Sequence, residues 1–209
     1  MFKVAVLVVA LVLACPGLAF AAAMAGDDAL GREGNLALAA ENMMAASFVT
    51  VAGENSSSEQ TYFSILLHDQ PVTPYGIPRI GLDYFQSDHF TLGGALGYAS
   101  SSPDGGSRRH TFFVHPRAGF LLPISTGIDL WLRAGFSYYD TGSDEVNRSG
   151  LAVDLSGMLT LNVAGNFALA LGPQADIGLL GDLEIEGVGS SAARITSVGI
   201  NAGLLGWLP

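Results

Sequence analysis

Residues 128–139 read Ile128-Asp129-Leu130-Trp131-Leu132-Arg133-Ala134-Gly135-Phe136-Ser137-Tyr138-Tyr139. One alternate set is Ile128, Leu130, Leu132, Ala134, Phe136 and Tyr138; the other is Asp129, Trp131, Arg133, Gly135, Ser137 and Tyr139. Period two makes this a strand whose faces meet different surroundings. Residues 151–163 repeat the pattern, with Leu151, Val153, Leu155, Leu159, Leu161 and Val163 on one face and Ala152, Asp154, Ser156, Met158, Thr160 and Asn162 on the other. Residues 90–100 do the same, with Phe90, Leu92, Leu96 and Tyr98 sharing a face. Such strands run roughly 10–13 residues. Globular strands average about 5–6, whereas a tilted strand crossing a bilayer needs about 9–11.

The composition agrees. Of 209 residues, 49% are hydrophobic, 13% are charged and 27 are glycine, and the net charge is −10. A disordered acidic tail would be poor in apolar residues. A nucleic-acid binder would carry excess Lys and Arg. Past residue 25 no apolar run approaches the ~20 residues of a spanning helix.

The N-terminus is read as an address. Lys3, the only lysine, precedes an apolar run over residues 4–14, then Cys15-Pro16-Gly17 and a small-residue stretch ending Ala21-Ala22-Ala23. That is the layout of a cleavable secretory signal, assigned to residues 1–23. Residues 24–34 are taken as a linker and residues 35–209 as the folded domain. Cys15 is the alternative lipidation site, with Leu13 where a small residue is usual. Without the signal the chain holds eight arginines, nineteen acids and no cysteine, so disulfide chemistry drops out.

Short connections alternate with long ones. Turns are expected at Gln86-Ser87-Asp88-His89, Ile124-Ser125-Thr126-Gly127 and Ala164-Gly165-Asn166, and longer polar loops over 101–108, 140–148 and 180–192. Counting strands under that constraint gives eight antiparallel strands, up and down, with both ends on the short-turn side. A ninth strand-like piece, residues 61–68, breaks the parity and is placed in the first long loop, folded back beside the outer half of the first strand. Pro116 and Pro173 fall inside expected strands and should each produce a bulge or a local lapse of pairing.

If the apolar face meets lipid, parity turns Glu41, Arg79, Asp83, His115, Arg117, Asp129, Arg133, Asp154, Gln174, Asp176 and Asn201 inward. Charges in a dry interior must be paired or wet, so the mixed signs imply an ion-pair network across the wall. No charge falls on the lipid face in mid-strand. Tyr84, Phe90, Phe120 and Phe167 flank the short turns; Tyr98, Phe112 and Tyr138 lie toward the long loops. The eight residues from Phe90 to Tyr98 cover roughly 26 Å of strand and about 20 Å of height after tilt, near the ~25 Å apolar band of a membrane barrel.

These features carry a resemblance. The stretches Pro78-Arg79-Ile80-Gly81-Leu82-Asp83-Tyr84-Phe85, Leu92-Gly93-Gly94-Ala95-Leu96-Gly97-Tyr98, Pro116-Arg117-Ala118-Gly119-Phe120 and Leu171-Gly172-Pro173-Gln174-Ala175-Asp176-Ile177-Gly178, with the last strand over 197–207, resemble the small outer-membrane β-barrels of Gram-negative bacteria, the OmpA-like and opacity-like eight-stranded group. The resemblance implies a transmembrane β-barrel in the outer membrane, handled by the barrel insertion machinery. It implies anchoring, adhesion or structural roles, and less often a small pore. One departure is that Trp207 is followed by Leu208-Pro209, where such barrels end on an aromatic.

Chemical motifs add little. Gly187-Val188-Gly189-Ser190-Ser191-Ala192 matches a dinucleotide fingerprint, but a strand pattern follows where a helix is required. His68, His89, His110 and His115 lack metal-ligand spacing. A His115 site with Ser137 or Asp83 is the one enzymatic arrangement that parity allows. Asp140, Asp144, Glu145, Asp182, Glu184 and Glu186 are acidic but not spaced as a calcium loop. Asn55-Ser56-Ser57 and Asn147-Arg148-Ser149 match glycosylation acceptors, idle in a bacterium. The expectation is a non-enzymatic structural or surface-interaction barrel, with no cofactor, metal or nucleic acid. Its partners would be outer-membrane lipid, the insertion machinery and an extracellular ligand met by the long loops. The alternatives are a lipid-modifying barrel enzyme, a small pore and a soluble lipocalin-like binding barrel.

Overall fold

The computed structural model describes residues 30–53, 57–65, 74–101 and 108–209. The signal segment, Cys15, His68 and most of the 101–108 connection lie outside the described residues. Within them are nine strands: β1 (Leu36–Gly53), β2 (Ser57–Ile65), β3 (Arg79–Ser87), β4 (Phe90–Ser101), β5 (Arg109–Ser125), β6 (Ile128–Ser143), β7 (Val146–Ala164), β8 (Phe167–Ile185) and β9 (Gly189–Leu208). A single 3-10 turn, Pro74–Gly76, precedes β3. No described helix is long and apolar enough to cross a membrane.

Every pairing is antiparallel, and the sheet closes because β1 pairs with β9 along almost its whole length. On its other side β1 changes partner. Leu36–Glu41 pair with β3, and Met44–Ala52 pair with β2. Eight strands therefore form the ring, and β2 is a ninth whose strand pairing, among the described residues, is with β1 alone. The described part of the 61–68 piece is thus a hairpin arm along the outer half of β1. Following opposed residues round the ring from Ala37 through Asp83, Gly93, Arg117, Gly135, Asp154, Asp176 and Ser197 returns to β1 at Val49, twelve residues further on. A stagger of that size forces the strands to lean steeply, by about 35–45°.

Two expected loops are not loops. Residues 140–148 continue β6 and β7, and Thr141 still pairs with Arg148, so the turn is Asp144-Glu145. Residues 180–192 continue β8 and β9, and Ile185 pairs with Gly189. Their polarity suggests loops, but a hairpin projecting past the lipid has water on both faces and shows no apolar alternation. Of the expected linker, residues 30–34 fold under the short-turn end of the barrel. Gly34 N–H donates to the Phe85 carbonyl and His89 N–H to the Gly31 carbonyl. Leu30 is buried. The prolines are absorbed without bulges. Pairing lapses at His115–Pro116 on the β6 side and at Gly172–Pro173 on the β7 side, while the register on either side is unchanged.

The lumen is filled in layers. At the short-turn end an apolar floor joins Leu30, Phe85, Leu121, Trp131, Leu205 and Trp207. At the other end an aromatic roof joins Tyr62, Tyr75, Phe113, Tyr139 and Ile195. The charged side chains lie between them.

Candidate functional site

The lower charged layer is built around Arg117. Its guanidinium forks onto Asp83, Nε to Oδ1 at 2.9 Å and Nη2 to Oδ2 at 2.5 Å. Nη1 donates to Glu41 Oε2 at 2.9 Å. Arg133 Nη1 donates to the other Glu41 oxygen at 2.5 Å, and its Nε to Ser156 Oγ at 3.3 Å. Two arginines thus share two carboxylates, all buried. Charge-assisted, bidentate bonds of this kind are the strong ones. Glycine makes the reach possible. Gly93 stands between Asp83 and Arg117 in the register, and a Cβ there would lie 2.6 Å from Asp83 Cα. A Cβ on Gly81 would lie 2.7 Å from Arg117 Nη2.

The upper polar layer is different. Arg79 donates from Nη2 to the Tyr75 carbonyl at 2.6 Å and lies 3.7 Å over the Phe113 ring. His115 Nε2 is 3.3 Å from Asp154 Oδ1. Asp154 and Asp176 face each other across β7 and β8. One amide nitrogen, Gln174 Nε2, donates to both, at 2.6 and 3.0 Å. Asn201 donates in turn to Gln174 Oε1. Asp129 belongs to neither layer; it sits lower on β6 and accepts from Thr160.

Asn42 lies outside the set that parity turns inward, yet it is buried. It has φ of 56° where β1 shifts register against β9. Its Nδ2 donates to the carbonyls of Tyr75 at 2.8 Å and Ile77 at 3.2 Å. The signal was present: Asn42 is the one polar residue in the even-numbered run Leu36, Leu38, Ala40, Asn42, Met44, Ala46, Phe48. Asparagine tolerates this left-handed backbone better than most residues, and the twist carries its amide inward to hold the 3-10 turn in the mouth. Tyr75 then packs edge-on against Phe113 and Tyr139 and donates to the Ile195 carbonyl at 3.4 Å. Burial, reinforced by the Asp176 carboxylate, pushes its phenol well above the ordinary tyrosine range, so it stays protonated.

His115 does not assemble with Asp83, which is committed to Arg117. Ser137 Oγ is buried and has no hydrogen-bond partner in the described structure. His115 is 1% exposed and Ser137 is 0% exposed, so neither side chain reaches the outer wall. Among the described residues no group of three or more His, Cys, Asp or Glu could hold a metal.

The outer wall is the inverse of the lumen. Leu38, Ile80, Leu82, Leu96, Phe136, Leu155, Leu171 and Ile200 are all exposed. Together with Phe112 and Phe120 of β5 they cover every ring strand, and no charged side chain interrupts them between the aromatic levels. Monomeric soluble proteins rarely expose apolar patches beyond a few hundred Å². A band of leucine and phenylalanine encircling a core of arginine and aspartate is a protein whose solvent at mid-height is hydrocarbon.

The comparisons agree with this geometry. The fold is that of an outer-membrane β-barrel. Among solved structures the chain is similar to AlkL, an outer-membrane protein solved in DMPC lipid bilayers (11% identity, TM-score 0.53, covering 91% of this chain and 95% of that one). It is similar to the Neisserial surface protein A, NspA (12%, 0.51, 83% and 99%). It is also similar to the outer-membrane protein OprG of Pseudomonas aeruginosa (5%, 0.50, 85% and 97%). No protein-family model and no curated protein matches the sequence. In this outer-membrane barrel fold β9 turns Trp207 into the floor and leaves Leu208 outward.

Proposed function

We propose that this chain is a sealed barrel of the bacterial outer membrane with a non-enzymatic structural or surface-interaction role. The observation that carries this reading is the uninterrupted apolar belt around a filled lumen. Eight-stranded rings leave an interior just wide enough for side chains, and here floor, ion pairs and roof occupy it. That opposes a diffusion pore. A soluble lipocalin-like barrel needs the reverse pattern, apolar inside and polar outside. A lipid-modifying enzyme needs its nucleophile and base within reach of lipid, and His115 and Ser137 are shut inside.

Surface contacts then fall to the projecting hairpins of β6–β7 and β8–β9. These carry Asp140, Asp144, Glu145, Asp182, Glu184 and Glu186 against Arg148 and Arg194, with Arg109 at the start of β5 opposite Ser143. An extracellular ligand would meet those tips. Outer-membrane lipid surrounds the belt, and the insertion machinery reads the final strand.

Fractionation of expressing cells tests the reading. The protein is expected in the outer-membrane fraction, with faster gel mobility before boiling than after. Recovery in the soluble fraction without a mobility shift overturns it. Ester or acyl hydrolysis by purified folded barrel, abolished in His115→Ala, would instead establish the enzymatic alternative.

A further inference from the structure

In the upper layer Asp154 and Asp176 stand opposite each other on β7 and β8 and are hydrogen-bonded to each other. Asp154 is 0% exposed and Asp176 2%. Each accepts through Oδ2 from the same Gln174 nitrogen. Each also keeps an Oδ1 that receives no hydrogen bond from any other group in the described structure. Ionised carboxylates only accept. A bond between two of them therefore needs a proton on one.

Charge counting asks for the same proton. In the lower layer Arg117 and Arg133 balance Glu41 of β1 and Asp83. In the upper layer Arg79 of β3 faces both Asp154 and Asp176, which leaves one negative charge over. His115 of β5 lies 3.3 Å from Asp154, but an imidazolium donates from both nitrogens, and His115 Nδ1 meets no acceptor. Tyr75 of the 3-10 turn packs on Tyr139 of β6 as a neutral phenol. From β9 come the neutral Ser197 and Asn201. An uncompensated charge in a dry interior is costly, and one proton brings the two layers to neutrality.

We propose that Asp154 and Asp176 hold one proton between them in the folded barrel and act as a pH-responsive latch on the mouth, tight while the proton is held and loosened when it leaves. The latch reaches the mouth through Asp176. A cavity of about 20 Å³, lined among others by Asn42, Tyr75, Gly76, Gln174, Asp176 and Asn201, lies between it and the 3-10 turn. That is room for about one water. Loss of the proton sets two like charges side by side at the cavity wall, which favours opening of the turn to water. The inference concerns only the lumen and does not depend on the biological role of the barrel.

The test is urea unfolding of the full folded barrel in neutral detergent between about pH 7 and about pH 9. The described residues contain no lysine and no cysteine, so few other groups change charge there. The unfolded chain ionises both carboxyls while the folded barrel keeps one proton, so stability falls as pH rises. The unfolding constant is expected to grow about tenfold per pH unit, the slope of one proton released. In Asp176→Asn that slope should vanish. It should persist in His115→Gln, and in Asp140→Asn on a projecting hairpin. Hydrogen exchange at Gly76 and Ile77, corrected for the intrinsic rate, should quicken with pH in wild type and stay level in Asp176→Asn. A flat wild-type profile, or an equal slope in Asp176→Asn, overturns the shared proton. Loss of the slope in His115→Gln overturns it in favour of an imidazolium, and pH-independent exchange at the turn overturns the latch. Should Asp176→Asn fail to fold, the infrared spectrum at pH 8 decides. Asp129 is the other lumen acid that no arginine partners among the described residues. A carboxylic-acid carbonyl band present in wild type and kept in Asp129→Asn supports the pair, whereas a missing band, or one lost with Asp129, overturns it.

Discussion

Glu41 joins the two arginines of the lower layer, since one of its oxygens accepts from Arg117 and the other from Arg133. Truncation to alanine would leave two buried guanidinium groups with Asp83 as their one remaining carboxylate. Breaking a buried pair from one side typically costs about 3–5 kcal/mol. Glu41→Ala is therefore expected to lower the urea midpoint of refolded barrel by that order. Glu41→Gln, which keeps an acceptor and loses the charge, should fall between it and wild type. Gly93 tests the same layer sterically. A methyl group there would press on the β3 backbone at Asp83. Overpacking costs about 1–3 kcal/mol, so Gly93→Ala should lower the midpoint, whereas alanine at Gly206, whose added Cβ would meet only the Asn166 carbonyl oxygen at 3.6 Å, should cost less.

At the scale of the element, the outward face of each strand is held to a single chemistry by the lipid. Leu155 lies in mid-β7 and points outward. Arginine near the midplane of a barrel wall costs about 2–4 kcal/mol. Leu155→Arg is expected to destabilise the barrel by that order, measured by reversible unfolding in phospholipid vesicles, while Leu183→Arg on the projecting part of β8 should be nearly neutral. The β1–β2 arm makes a different prediction. Ring closure uses β1–β9 and β1–β3, so β2 is dispensable for closure. Replacing residues 54–73 with a short glycine-serine linker should leave heat-modifiable mobility intact, and loss of the mobility shift would show that the arm is needed to assemble the ring.

For the molecule as a whole, floor, ion pairs and roof make the lumen a packed interior. Vesicles loaded with the purified barrel are expected to retain small sugars as well as protein-free vesicles do. The 3-10 turn completes the roof through Asn42 and Arg79, which grip the Tyr75 carbonyl. Asn42→Ala removes one grip and a residue suited to the twisted backbone. It is expected to increase hydrogen exchange at Gly76 and Ile77 before it changes exchange in β6 or β7.

The alternation at 128–139 and its repeats was enough to define strands and their outward face, because lipid on one side leaves a mark at every second residue; the eight-strand ring followed from the spacing of short and long connections, and the strands run further than the alternation does. The same parity turned Arg117, Asp154 and their companions inward. It could not show which of them meet, since partners such as Glu41 and Arg133 lie 92 positions apart and are joined only by the stagger of the closed ring. Nor could it separate a projecting hairpin from a loop, because water on both faces removes the mark. The partner exchange along β1, the inward twist at Asn42 and the oxygen-lined cavity beside Asp176 were decided by tertiary structure, where a local break in pairing and long-range register place groups that no local pattern connects.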